Sequence, residues 1–424
     1  MVKPKRKYFT AVVLAAGRGV RMKSGLPKVL NELCGRPMIY YVLKELAKLK
    51  GKVKQVIVVV GWGAPQVKKY LSGAFAGTQS VLQAKQLGTA HAVKCASSKV
   101  KHPDILLLCA DAPLVKAQTL AKMMDEHIRQ QCAASLLTSQ RADSPDLGRL
   151  LRDSSGNVRA IVEKEEFKPE ITSGEVNSGM YCFETSALKE ALKQVRPNPV
   201  KGEYFLTDVV NIFYQSGRPA KAHQTDFDQI MGINSQNQLA CAAAIMRERI
   251  NDALMDAGAR LMDPATTFVD EGVKIGPGSV IYPFTFIEKD VRIGRNCVLG
   301  PFIRLRKGTR IADHTHLGNF VEVSRCTIGK NVRAKHFCFL GDTVVGNGVN
   351  IGAGVVVANY DGKNKYETRI DQGAFIGSDS ILVAPVNIGK AALTGAGSVV
   401  THNVLAGAKV IGVPARPFGK KSRK

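Results

Sequence analysis

Tryptophan is nearly absent from this chain, with a single residue in 424, and aromatic side chains make up only 6% of it. A base-stacking surface for nucleic acid is therefore missing, and no helix-turn-helix pattern takes its place. Apolar runs are short: Ala11 to Ala16 and Val56 to Val60 have the length of buried strands and fall far below a bilayer span, so membrane insertion is not expected. The nine cysteines include no C-x-x-C pair, and the nearest two, Cys326 and Cys338, lie twelve apart. That argues against a zinc framework and for reduced, mostly buried thiols in a cytoplasmic compartment. The basic N-terminus lacks the apolar core of a secretion signal. Acidic residues are also scarce, 35 against 60 Lys and Arg, for a formal charge of +25. Two readings stay open: solvated basic ends and surface, or attraction of anionic partners, with phosphorylated substrates expected before nucleic acid.

The length exceeds one compact core, so two domains are expected. Over residues 8–234, β-branched runs alternate with helical patterns. Tyr8 to Ala15, Gln55 to Val60 and Asp104 to Cys109 read as strands; Pro37 to Leu49 and Ala90 to Val100 read as helices. Strands spaced by helices imply a mostly parallel, Rossmann-like α/β sheet, with ligands at the carboxyl ends of its strands. Residues 235–264 read as a connecting arm, helical from Leu239 to Leu261. Residues 1–7 and 417–424 are basic tails.

From Val269 the period changes to six: Val269, Ile275, Ile281, Ile287, Ile293, Leu299, Leu305, Ile311, Leu317 and Val323. The phase slips before Ile328 and again before Val345, then resumes after an insertion near 360–369, with only Thr394 out of character. Neither a helix nor a flat strand has this period, whereas a stacked coil with three short faces per turn has it. Residues 265–416 are therefore expected to form a left-handed parallel β-helix of hexapeptide repeats, serving either as a catalytic unit or as an oligomerising stem.

The first strand leads into Leu14-Ala15-Ala16-Gly17-Arg18-Gly19-Val20-Arg21, with Pro27-Lys28 following. Gly17 and Gly19 let backbone N–H groups approach phosphate oxygens, and Arg21 and Lys28 add two cations beside them. This suits a triphosphate attacked at its α-phosphorus.

That string resembles the signature of sugar nucleotidyltransferases. Further segments follow in order: Val81 to His91, Gly202 to Asp208, Gly300 to Arg306, His316 to Glu322 and Asn359 to Gly362. Together they resemble the bifunctional bacterial N-acetylglucosamine-1-phosphate uridylyltransferase/glucosamine-1-phosphate acetyltransferase family. The resemblance implies UTP, acetyl-CoA and sugar phosphates as substrates, Mg²⁺ as cofactor and a homotrimer. It implies nucleotide-sugar contacts at Leu14, Ala15, Ala16, Gly17, Gln83, Gly88, Thr89, Gly148, Glu163 and Asn177. Gln83 would read the uracil edge, and Asp111 and Asn234 would hold the metal. In the coil, His336 matches the general base of acetyl transfer. Arg306, Asn350 and Lys365 match amino-sugar-phosphate contacts, and Asn359, Tyr360, Ser378 and Ala396 match acetyl-CoA contacts.

The chain departs from that pattern in places. Cys109-Ala110 stands where the family has Tyr-Gly, Ser324 where it has Lys, Phe339 where it has Tyr, and Gly412 where it has Arg. A nucleotidyltransferase for another sugar phosphate with an altered coil therefore stays open, as does a non-catalytic sugar-nucleotide sensor on a trimerising stem.

Overall fold

A computed structural model describes residues 7–141, 147–167 and 173–418. The basic tails thus lie largely outside the described residues. The chain divides into two compact units, Met1–Ala243 and Ala244–Lys424.

The first unit is built on a nine-stranded sheet. Its central strand, Phe9–Ala15, pairs in parallel with Val53–Val60 on one side and Asp104–Cys109 on the other. Alternation along these strands feeds two cores. Ala11, Val13, Val58, Leu106 and Leu108 face one layer of helices, while Val12, Ile57, Val59, Ile105 and Leu107 face the other. Both layers are needed because each strand is apolar on both faces. The sheet is not parallel throughout, however. Glu175–Glu184 runs antiparallel between Asp104–Cys109 and Ala134–Gln140. Among the described residues, no crossover helix separates Ala134–Gln140 from Glu175–Glu184. The hairpin of Arg149–Arg152 and Val158–Val162 lies between them, so the chain returns antiparallel.

The second unit is a left-handed parallel β-helix with three stacked ladders. Val280 pairs with Val298 and Val298 with His316, a step of 18 residues or three hexads. His316 pairs with Arg333 and Arg333 with Asn350, so two turns have 17 residues. These shortened turns are the phase slips in the sequence. The long turn from Asn350 to Phe375 carries the insertion. The sixth-position aliphatics form one continuous core from Val269 to Val410. Thr394, the exception, is fully buried and satisfied there. Its hydroxyl accepts from Gly377 N–H at 3.0 Å and lies 3.0 Å from the Ser380 hydroxyl.

The connecting helix occupies Gln236–Asp256 rather than continuing to Leu261. Gly258, with φ 94°, terminates it, and the Ala259 N–H turns back to the Leu254 carbonyl at 3.1 Å. Arg260–Leu261 already belong to the coil, paired with Val280–Ile281.

Candidate functional site

The central strand delivers its glycine turn to the carboxyl edge of the sheet. Ala110 N–H donates to the Leu14 carbonyl and Trp62 N–H to the Ala16 carbonyl, so the ends of three strands meet there. Gly19 is left-handed (φ 61°), and a Cβ added to it would lie 2.5 Å from Lys28 Cβ. Only glycine fits against that lysine stem. At Gly17 an added Cβ would meet nothing within 4 Å. The turn therefore has one face closed by Lys28 and one open to a ligand. Arg21 is exposed on the short 3-10 turn Val20–Met22.

Lys28, almost buried, runs beneath this turn. Its ammonium is ion-paired with Asp111 Oδ2 and donates to Asn234 Oδ1 at 2.5 Å. Asp111 and Asn234 are tied together by the Ile233 N–H, which donates to the Asp111 carbonyl at 2.8 Å. Two hard oxygens thus converge on one cation, as a divalent ion completed by phosphates and water requires. Among the described residues no group of three or more His, Cys, Asp or Glu could hold a metal. Cys109 lies two residues before Asp111, and its thiol donates to the Gly179 carbonyl at 3.5 Å. Burial pushes that thiol up to about 12, the Asp111 charge adding and Lys28 opposing.

Two of the matching segments cross beside the turn. Tyr204 N–H donates to the Leu87 carbonyl and Ala90 N–H to the Tyr204 carbonyl. Gly88 sits at φ 101°, where a Cβ would come within 2.5 Å of Tyr204 O. Gln83 is buried, its carboxamide donating to Gly88 O at 3.0 Å. The Thr89 hydroxyl accepts from Leu206 N–H at 3.0 Å, so it fixes the crossing. Gly148, Glu163 and Asn177 are also brought together. Asn177 N–H donates to Gly148 O at 2.9 Å, and a Cβ on Gly148 would lie 3.5 Å from Glu163 Oε2. Thr207, for which the sequence suggested no role, donates to Glu163 Oε1 at 2.9 Å. Its position inside the Gly202–Asp208 match was the available signal.

In the coil, His336 is exposed and registers with Asn319 on the preceding turn. Arg306 donates to Glu322 at 3.2 Å, and Glu322 registers with Phe339. Asn350 lies in the column of Arg333. Lys365 pairs across the insertion with Tyr360. Ser378 and Ala396 occupy the same corner of successive turns, where Gly397 N–H donates to Ser378 O at 2.8 Å. Among the described residues, no hydrogen bond or ion pair joins His336 to Arg306, Asn350 or Lys365. Ser324 is buried and accepts from Arg325 Nη1 at 2.9 Å. Gly412 has φ 98° and carries no cation.

A family model for the MobA-like NTP transferase domain matches residues 11–262, and one for the GMPPB C-terminal domain matches 264–365. The Bifunctional protein GlmU of Pelotomaculum thermopropionicum is 43% identical over 415 residues, covering 89% of this chain and 90% of that protein. Its namesake in Geobacillus thermodenitrificans is 40% identical over 449 residues, covering 97% and 96%. This chain belongs to the GlmU family. The Bacillus subtilis GlmU, 38% identical, covers 93% of both chains, so the family likeness embraces both units rather than the nucleotidyltransferase half alone.

Proposed function

We propose that the chain makes UDP-N-acetylglucosamine and pyrophosphate from UTP and N-acetylglucosamine-1-phosphate, and acetylates glucosamine-1-phosphate with acetyl-CoA. The convergence of Lys28, Asp111 and Asn234 beneath the open glycine turn carries the first half of this reading. A phosphate oxygen of the sugar phosphate attacks the α-phosphorus of UTP. The new P–O bond forms as the bond to the β-phosphate breaks, and pyrophosphate leaves with the electron pair. Arg21 and Lys28 neutralise the phosphates, and Gly17 lets backbone N–H groups reach them. Gln83, held by Gly88, faces the uracil, while Gly148, Glu163 and Asn177 hold the sugar. Asp111 and Asn234 would hold Mg²⁺, which supplies Lewis-acid stabilisation of phosphate charge when bound.

In the coil, His336 accepts the proton as the amine attacks the thioester, and the CoA thiolate leaves. Arg306, Asn350 and Lys365 receive the amino-sugar phosphate; Asn359, Tyr360, Ser378 and Ala396 receive acetyl-CoA. Residues 8–234 would carry the first activity and 265–416 the second, joined by 235–264. A homotrimer belongs to this reading. Phe284, Phe302 and Phe320 stack along one corner at 5.0 and 5.1 Å while remaining exposed, which supports association through the coil. A cytoplasmic setting belongs to the same reading, and none of the nine cysteines is paired in a disulfide. No described helix is long and apolar enough to cross a membrane.

The test is a parallel assay of the purified protein, following pyrophosphate with UTP and N-acetylglucosamine-1-phosphate, and free thiol with acetyl-CoA and glucosamine-1-phosphate. Absence of pyrophosphate removes the first activity, and absence of thiol removes the second. A sugar-phosphate panel that ranks another substrate first would reassign the specificity.

A further inference from the structure

Three polar side chains recur at one corner of the coil, one per turn: Arg325, Asp342 and Asn359, each 17 residues after the last. Arg325 and Asp342 are left-handed, at φ 56° and 50°, as a sharp corner demands. Asp342 N–H donates to the Ser324 carbonyl at 2.9 Å, which stacks the two corners. The Arg325 guanidinium grips both Asp342 oxygens, Nε to Oδ1 at 2.5 Å and Nη2 to Oδ2 at 2.7 Å. Its Nη1 donates to the buried Ser324 hydroxyl at 2.9 Å, so the guanidinium plane is fixed on two sides. Asp342 Oδ2 also accepts from Asn359 Nδ2. Asn359 is buried and opens the insertion, its carbonyl accepting from Tyr366 N–H at 2.9 Å.

We propose that Arg325 and Asp342 form a clamp that positions the Asn359 side chain to receive acetyl-CoA. The inference rests on the reading of Asn359 as an acetyl-CoA contact. A carboxamide whose NH₂ is committed to a carboxylate cannot rotate by half a turn without facing oxygen with oxygen. Its Oδ1 is therefore kept on the side away from Asp342 as an acceptor, and among the described residues the Asn359 carboxamide is held by the Asp342 bond alone. An amide N–H, such as those of the pantetheine arm of CoA, is the donor class it fits. Arg325 foremost, then Asn359 and the Lys365 charge, hold the Asp342 carboxyl below the ordinary carboxylate range, so the acceptor stays ionised. Arg325 and Asp342 act through Asn359 and are positioning residues.

The test uses the full chain, with uridylyl transfer as an internal control of folding. Asp342→Asn removes the charged acceptor and frees the Asn359 amide to turn. The acetyl-CoA KM should rise roughly tenfold, the scale of a lost hydrogen bond to a charged group. The kcat of acetyl transfer and the rate of pyrophosphate release should change little. In an Asn359→Ala background, Asp342→Asn should add nothing further, because its effect has lost its carrier. Additive effects, or an unchanged acetyl-CoA KM in Asp342→Asn, overturn the clamp alone. Should Asp342→Asn fail to fold, Arg325→Gln carries the test. It should raise the same KM by a smaller factor, and no rise overturns the clamp. An unmodified protein that releases no thiol sinks the acetyl-transfer reading and the clamp with it.

Discussion

Lys28 Nζ lies 2.5 Å from Asn234 Oδ1, across 206 positions of sequence, with Asp111 completing the same ion-paired cluster. One residue comes from the turn after the first strand, one from the end of the strand Asp104–Cys109, and one from the chain leading to the connecting helix. Three distant stretches of chain are thus brought to one point beneath the glycine turn.

The two activities should be separable by single substitutions. Asp111→Asn should lower pyrophosphate release by roughly a hundredfold to a thousandfold, the worth of several kcal/mol of lost charge stabilisation. Thiol release should remain. His336→Ala should reverse the pattern, losing thiol release while pyrophosphate release continues. Chelating the metal should mimic Asp111→Asn. One assay with both readouts checks all three.

The two glycines of the turn should respond differently to alanine. Gly19→Ala places a Cβ at positive φ and against Lys28. It should cost about 1–2 kcal/mol of stability and also slow uridylyl transfer by displacing Lys28. Gly17→Ala meets nothing in the protein, so thermal unfolding should be unchanged while the UTP KM rises. Equal thermal shifts for the two variants would contradict the assignment of Gly17 to the ligand side.

Thr394→Val keeps the shape of a core side chain and removes its hydroxyl. Gly377 N–H then keeps its ladder bond to the Thr394 carbonyl at 3.0 Å, and the Ser380 hydroxyl keeps the Gly395 carbonyl at 3.2 Å, so no buried group is stranded. The expected loss is only about 0.5–1.5 kcal/mol, offset in part by a gain in apolarity. Denaturant unfolding followed by a signal from the coil measures it.

Asp208 gives the first unit a pH dependence of unusual sign. Burial, with the Glu166 charge adding, raises its carboxyl to about 6 from an ordinary 3.8. The folded chain then binds the proton more tightly than the unfolded one. This contribution is full below about 3.8 and is lost as pH rises through about 6. Asp208→Asn should therefore raise the thermal midpoint at about pH 8 and leave it nearly unchanged at about pH 4. The effect is moderate because Asp208 remains partly exposed. An equal shift at both pH values would assign the effect to packing instead.

Much of this protein was legible in one dimension because its signals are periodic or local. The hexad marks a column of buried aliphatics from Val269 to Val323, and the two shortened turns already stand in the sequence as phase slips. The Gly17–Gly19 turn and its two cations likewise lie within one short string. The antiparallel strand Glu175–Glu184 was not foreseen, because strand direction depends on what connects the strands rather than on alternation within them. Nor was the helix end at Asp256, where one glycine at positive φ outweighs an apolar pattern that continues to Leu261.

Periodicity and local motif by themselves determined the two architectures and the position of the glycine turn, since backbone conformation and burial follow from neighbours in sequence. Only the tertiary structure decided which distant groups share a site. Nothing near Lys28 in sequence names Asn234, nothing near Glu163 names Thr207, and nothing beside Arg325 shows whether it turns toward Asp342 or into solvent. Such pairings depend on how strand ends and coil corners meet in space, and electrostatic attraction acts over ångströms of space whatever the separation along the chain.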